Sequence, residues 1–221
     1  MTPMAFTVRK PPKRSPMALA SLAMLCEEPM HPYRMQRLIK ERGKDEVINV
    51  TQRTSLYQTI ERLEREGLIS AQGVTRAKKR PERTLYEITD AGRAIILEWM
   101  RQILSTPARE FPEFPAAISL LTLLSTEDVL HWLELRSVSI EAEILRFDEA
   151  AKQAAHVPRL FLLETEYLRA MRAAELSWVT SVVKDLRSGG LTWSEAWLRQ
   201  VRARVAIDEA TLQAGEGDRH D

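Results

Sequence analysis

A single cysteine, Cys26, leaves the chain no internal disulfide. The four histidines, His31, His131, His156 and His220, stand far apart, and together with one thiol they offer no metal-ligand spacing. Zinc sites and disulfide scaffolds are therefore excluded. Long apolar runs are also missing. The stretch from Met17 to Cys26 is interrupted by Ser21 and ends at Glu27, well short of the roughly 20 residues that a membrane span needs. That run follows the basic residues Arg9, Lys10, Lys13 and Arg14 but has no A-x-A cleavage site, so a cytoplasmic protein with no membrane partner is expected. Nor is there a phosphate-cradling glycine loop, a G-x-S-x-G elbow or an H-E-x-x-H pair. No catalytic residue, cofactor or metal is expected, and the chain is not read as an enzyme.

What is present is an ordinary globular composition. Hydrophobic residues make up 44% and charged residues 29% of the 221 positions, far from the composition of a disordered chain. This length suits one large domain or two small ones. The net charge of +1 hides a division along the chain. Residues 1–104 hold 19 Lys and Arg against 12 Asp and Glu, and residues 105–221 hold 13 against 19, giving +7 and −6. A basic half joined to an acidic half suits a nucleic-acid-binding domain attached to a second, non-binding one.

The periodicity gives a mainly α fold, with an N-terminal winged helix-turn-helix that carries a two-stranded β-wing, followed by an all-α helical dimerisation domain. Residues 1–14, rich in proline and basic side chains, are expected to form a flexible arm. A winged helix spans 15–104, a linker containing Pro107, Pro112 and Pro115 spans 105–115, a helical domain spans 116–213, and 214–221 form a disordered tail. Ser15-Pro16 is a helix start and Pro29 a stop. Pro32 opens a second helix ending near Gly43. A third carries Leu56, Ile60 and Leu63 on one face, with Gly67 as its left-handed C-cap. Leu68–Ala71 and Thr84–Ile88 read as strands around a polar tip, residues 72–83, and Thr89 or Asp90 caps the next helix. In the second half helices are expected over about Ala116 to Leu124, from the capping sequence Ser125-Thr126-Glu127-Asp128, from Pro158, and from the capping box Thr192-Trp193-Ser194-Glu195.

Three helices followed by a hairpin is the order of a winged helix-turn-helix, whose third helix enters the DNA major groove while the wing lies along the backbone. With Leu56, Ile60 and Leu63 inward, Ser55, Gln58, Thr59 and Arg62 should face outward, where they could meet base edges or phosphates. Arg53 and Thr54 stand at the helix N-terminus, where the dipole already favours phosphate. The wing tip holds Arg76, Lys78, Lys79, Arg80 and Arg83, five cations in eight residues. An ordinary solvated polar face is the plainer account of such residues taken singly.

His31-Pro32-Tyr33, Ser55-Leu56-Tyr57, Leu63-Glu64-Arg65-Glu66-Gly67-Leu68-Ile69, Arg80-Pro81, and Tyr86-Glu87-Ile88-Thr89-Asp90-Ala91-Gly92-Arg93 together resemble the PadR family of bacterial transcriptional regulators. The second half resembles the larger of the family's C-terminal domains, through Phe114-Pro115-Ala116-Ala117, Pro158-Arg159-Leu160-Phe161 and Leu191-Thr192-Trp193. The resemblance implies a homodimer held by its C-terminal helices on a pseudo-palindromic operator of double-stranded DNA, acting as a repressor released by a small molecule. It also gives Tyr57 a role in DNA contact and assigns the tip around Lys79 and Arg80 to the wing. Thr54 stands where the family usually has glycine, and Gln58 where proline commonly follows the tyrosine, so no operator sequence carries over.

Dimerisation also has an argument of its own. The two long helices of the second half have wide apolar faces, made by Leu133, Ile140, Ile144 and Phe147 on one and by Phe161, Leu168, Met171, Trp178 and Val182 on the other. A second copy is the simplest cover for them; an intramolecular bundle is the alternative. Tryptophans in such a domain are more often core or interface anchors than ligand contacts. Trp99 is the candidate for an effector pocket that takes a small aromatic molecule, because its helix joins the wing to the second half. A competing account is a protein-interaction module that uses the same winged helix and bundle without binding DNA.

Overall fold

The computed structural model describes residues 12–50, 53–75 and 83–205, and for Arg53, Val74, Thr75 and Arg83 the backbone alone. The chain divides into two compact units, Met1–Arg109 and Glu110–Asp221.

The first unit runs α1 (Pro16–Glu27), α2 (Pro32–Glu41), α3 (Arg53–Arg65), β1 (Ile69–Thr75), β2 (Arg83–Ile88) and α4 (Asp90–Ser105). Each boundary has a local cause. Ser15 Oγ accepts from the Ala18 amide at 3.2 Å, with Pro16 in the first turn of α1. α3 ends two residues before Gly67, whose φ of 76° is the left-handed conformation that glycine adopts without strain. Thr89, rather than Asp90, caps α4, accepting from the Gly92 amide at 3.1 Å while donating to the Gly67 carbonyl at 2.8 Å. The core joins Leu22 and Leu25 of α1, Met35 and Ile39 of α2, Leu56, Ile60 and Leu63 of α3, and Ile69, Ile88 and Ile96 beyond them.

The strands form an antiparallel two-stranded sheet, Ile69 opposite Ile88 and Ala71 opposite Tyr86. β1 runs further than expected, to Thr75, because a register shift between Ala71 and Val74, at Gly73 with φ 101°, lets it bulge and continue. β2 is also paired on its other edge. The amides and carbonyls of Met30 and Tyr86 exchange bonds of 3.0 and 3.1 Å.

The second unit runs α5 (Glu113–Ile118), a 3-10 turn (Leu121–Leu123), α6 (Thr126–Gln153), a second 3-10 turn (Arg159–Phe161), α7 (Leu163–Ser188) and a helix over 195–205. Three expectations are corrected here. Pro115 lies in the first turn of α5 rather than in a linker, which is allowed because the first amides of a helix have no intrahelical partner. Pro158 opens a 3-10 turn instead of α7, so Phe161 lies off the α7 stripe. The last helix is capped by Ser194, whose Oγ accepts from the Trp197 amide at 3.2 Å, and not by Thr192.

α6 and α7 pack together over Val129, Leu133, Ile140, Val179 and Val183. Flanking this seam are ion pairs between the two helices. Arg187 meets Glu134 at 2.7 Å, Arg172 meets Glu143 at 2.6 Å, Arg169 pairs with Asp148, and Glu175 joins Arg136 to Arg172.

Candidate nucleic-acid interface

Burial of Leu56, Ile60 and Leu63 fixes which side of α3 faces water. Successive residues turn by about 100°, and this brings Thr54, Tyr57 and Gln58 to the surface, with Tyr57 46% exposed. Ser55 is half-buried. Thr59 does not join this outward set: it is only 8% exposed, and its hydroxyl donates to the Ser55 carbonyl at 2.8 Å. On the wheel it lies beside Leu63 and Leu56, at the edge of the apolar stripe, and the backbone satisfies its oxygen.

Arg62 is present on the outer side but already engaged. Its guanidinium donates to the Lys13 carbonyl and lies 3.7 Å from Glu66. That contact draws the segment before α1 onto α3. The result is an open groove of about 430 Å³ lined by Lys13, Ser15, Ser55, Gln58, Thr59, Glu61, Arg62 and Arg65. Lys13 was read from sequence as part of the basic arm but not as a neighbour of α3, and Arg65 was not a site candidate; the signal available was the spacing of Arg62 and Arg65, neighbours at i, i+3.

Electrostatics divide α3 along its length. Glu61 follows Tyr57 by one turn and Glu64 lies further on, so the carboxylates of α3 fall in its C-terminal half, where they alternate with Arg62 and Arg65. Burial pushes the Tyr86 phenol on β2 above its usual range, and the charges of Glu64 and Glu61 push it the same way. The half of α3 suited to an anionic partner is therefore its N-terminal half, where the helix dipole is positive. Of the remaining candidates, Lys78, Lys79 and Arg80 lie outside the described residues, Arg53 opens α3, and Arg83 opens β2.

The HPY motif acquires a physical role. Pro32 fills the first turn of α2, and His31 turns away from it, making no capping bond to α2. Its Nδ1 donates instead to the Thr84 carbonyl of β2 at 2.8 Å. Gly92 is equally specific, because a Cβ there would lie 2.1 Å from the Leu68 carbonyl oxygen, so only glycine lets α4 approach the end of the α3–β1 turn so closely.

Residues 22–98 match the family model described as Transcriptional regulator PadR-like family. The N-terminal domain is PadR-like. Solved structures share the fold well beyond that domain. Bacillus subtilis PadR in complex with operator DNA matches over 79% of this chain and 99% of its own, with 16% identity and a TM-score of 0.62. Bacillus subtilis PadR in complex with p-coumaric acid matches over 77% and 98%, with 18% identity and a TM-score of 0.62. The Vibrio cholerae virulence activator AphA matches over 78% and 98%, with 18% identity and a TM-score of 0.57. At such identities the likeness is one of fold. No curated protein sequence matches the chain. No helix among the described residues is long and apolar enough to cross a membrane.

Outside the PadR-like domain, the expected dimerisation residues divide into three groups. Leu133 and Ile140 are buried in the chain's own α6–α7 seam, with Ile144 and Val182 packed against it. Phe161, Met171 and Trp178 are exposed, the last at 41%. Phe147 and Leu168 are half-buried. Trp99 is 5% exposed, inside the core of the first unit. Its packing is that of a core anchor.

Proposed function

We propose that this protein is a sequence-specific DNA-binding transcriptional regulator that acts as a homodimer on a pseudo-palindromic operator, with repression as the sign of its effect. The observation that carries this reading is the outward N-terminal half of α3. A helix pinned by Leu56, Ile60 and Leu63 presents Thr54, Tyr57 and Gln58 to solvent, and a wing follows it. Hydroxyl and amide groups on such a helix can bond base edges, while the cations of the tip, in sequence Lys78, Lys79, Arg80 and Arg83, supply phosphate contacts.

The second copy is argued from packing. Among the described residues of the second unit the buried apolar set is small, while Met171, Trp178, Leu135, Val138 and Leu145 remain exposed on two long helices. Apolar surface of this extent marks an interaction site, and a two-fold partner would double the number of half-sites read. Release by a small aromatic molecule is the regulatory part of the proposal. Bacillus subtilis PadR, which shares the fold, is found with p-coumaric acid.

The test is selection of bound fragments from random duplex DNA by the full-length protein. A recovered palindrome is the expected result. Its binding should weaken steeply with salt, as phosphate contacts require. Failure to enrich any duplex at low ionic strength would refute the reading and favour a protein-interaction module.

A further inference from the structure

The structure holds one side chain placed to aim the wing. β2 is supported along both edges, by β1 on one and by Met30 on the other. The β1 edge is interrupted between Ala71 and Val74, where the register shifts and Gly73 takes φ 101°. A bulge at this point weakens the ladder and bends the strand just before the tip. Pairing resumes with Val74 opposite Thr84. It is at Thr84 that the opposite edge gains an extra bond, from His31 Nδ1 to the Thr84 carbonyl oxygen at 2.8 Å. Because the acceptor is a carbonyl, Nδ1 must carry the hydrogen.

Three further facts tie this bond to the wing and not to α2. His31 stands at the N-cap of α2 yet makes no capping bond there. Its backbone is extended, and Pro32 fixes the turn into the helix, so the ring is held toward β2. Thr84 adjoins Arg83, the last of the tip cations.

We propose that His31 is a positioning residue for the wing. It braces β2 where the β1 ladder is interrupted and so fixes the end of the strand, at Thr84, to which the cationic tip is joined. The proposal rests on the DNA-binding reading above. With the brace removed, the end of β2 must be ordered on binding, and fewer phosphates are reached.

The experiment uses the full-length protein and the duplex recovered by selection, measuring affinity against salt concentration for wild type, His31→Ala and His31→Asn, with Tm for each. The Asn amide places a donor near the position of Nδ1. His31→Ala should bind more weakly and give a log-log salt slope shallower by about one, the change expected from one lost phosphate contact, and His31→Asn should restore the wild-type slope. A merely structural role would lower Tm and leave the slope unchanged. An unchanged slope in His31→Ala, or no restoration by His31→Asn, overturns the proposal. Should His31→Ala fail to fold, His31→Gln takes its place. Its amide overshoots the Nδ1 position, so a slope equal to that of His31→Asn overturns the proposal in the same way. If wild type shows no salt-dependent duplex binding, it is the DNA-binding reading that fails, and with it the proposal.

Discussion

Two glycines in the PadR-like domain serve different physical ends, and substitution separates them. Gly92 lacks room for a side chain, since its would-be Cβ meets a backbone oxygen that cannot swing aside. Gly92→Ala should cost about 3 kcal/mol, at the upper end of overpacking penalties, and lower Tm by many degrees. Gly67 has open space but a φ of 76°, so Gly67→Ala should cost only about 1 kcal/mol of left-handed strain. Equal losses in thermal denaturation would contradict this division. At the surface, Tyr57→Ala should leave the unfolding free energy within about 0.5 kcal/mol of wild type, as exposed substitutions do, while lowering affinity for the selected duplex at least about tenfold. Thr59→Val, by contrast, should leave DNA binding unchanged, since its hydroxyl faces the helix backbone; a mobility-shift titration reads both.

Among the elements, α1 and α2 are joined by a two-pronged ion pair, Arg42 donating to both oxygens of Glu27 at 2.7 Å. The hydrogen bonds from Arg42 hold the Glu27 carboxyl below the usual carboxylate range. Its contribution is therefore present above the unfolded-state pKa and is lost as pH falls through the lowered folded value. Both side chains are about half exposed, so the contribution is about 0.5 kcal/mol after screening. Glu27→Gln should accordingly narrow its stability deficit against wild type as pH drops below about 4. In the second unit Glu175→Gln should be more damaging, about 2 kcal/mol, because a half-buried carboxylate there satisfies Arg136 and Arg172 together.

Element legibility followed the range of the forces involved. Ser15, Thr89, Ser125 and Gly67 act on their own backbone, and their caps could be read from sequence. The longer β1, the early start of α5 and the 3-10 turn at Arg159 depend on a bulge, on neighbouring turns and on packing, which periodicity does not encode. The candidate site divides in the same way. Gln58 was legible as outward from periodicity and Tyr57 from the family resemblance, whereas the burial of Thr59 follows from the width of the apolar stripe, and the hold of Arg62 on Lys13 and the reach of His31 to Thr84 each join segments distant in sequence.

For the whole molecule the decisive quantity is the state of association. Met171 and Trp178 lie on the exposed side of α7, away from the Val179–Val183 seam. Met171→Glu would bury a carboxylate against a partner copy, and should weaken the dimer at least about tenfold. Light scattering should then show monomer at concentrations where wild type is dimeric, and duplex affinity should fall in parallel. A monomeric wild type, or a dimer indifferent to this change, would send the apolar face to some other partner.

The ion pairs flanking the α6–α7 seam also tolerate only one axial setting of the two helices. A slip of one turn, about 5.4 Å, would set Arg169 against Ile144 or Lys152, and Arg172 against Ser139 or Phe147, in place of their acidic partners. Misaligned hairpins are thus electrostatically unfavourable from the moment they form, and the outward side chains of the pair keep a constant spacing, like marks on a ruler.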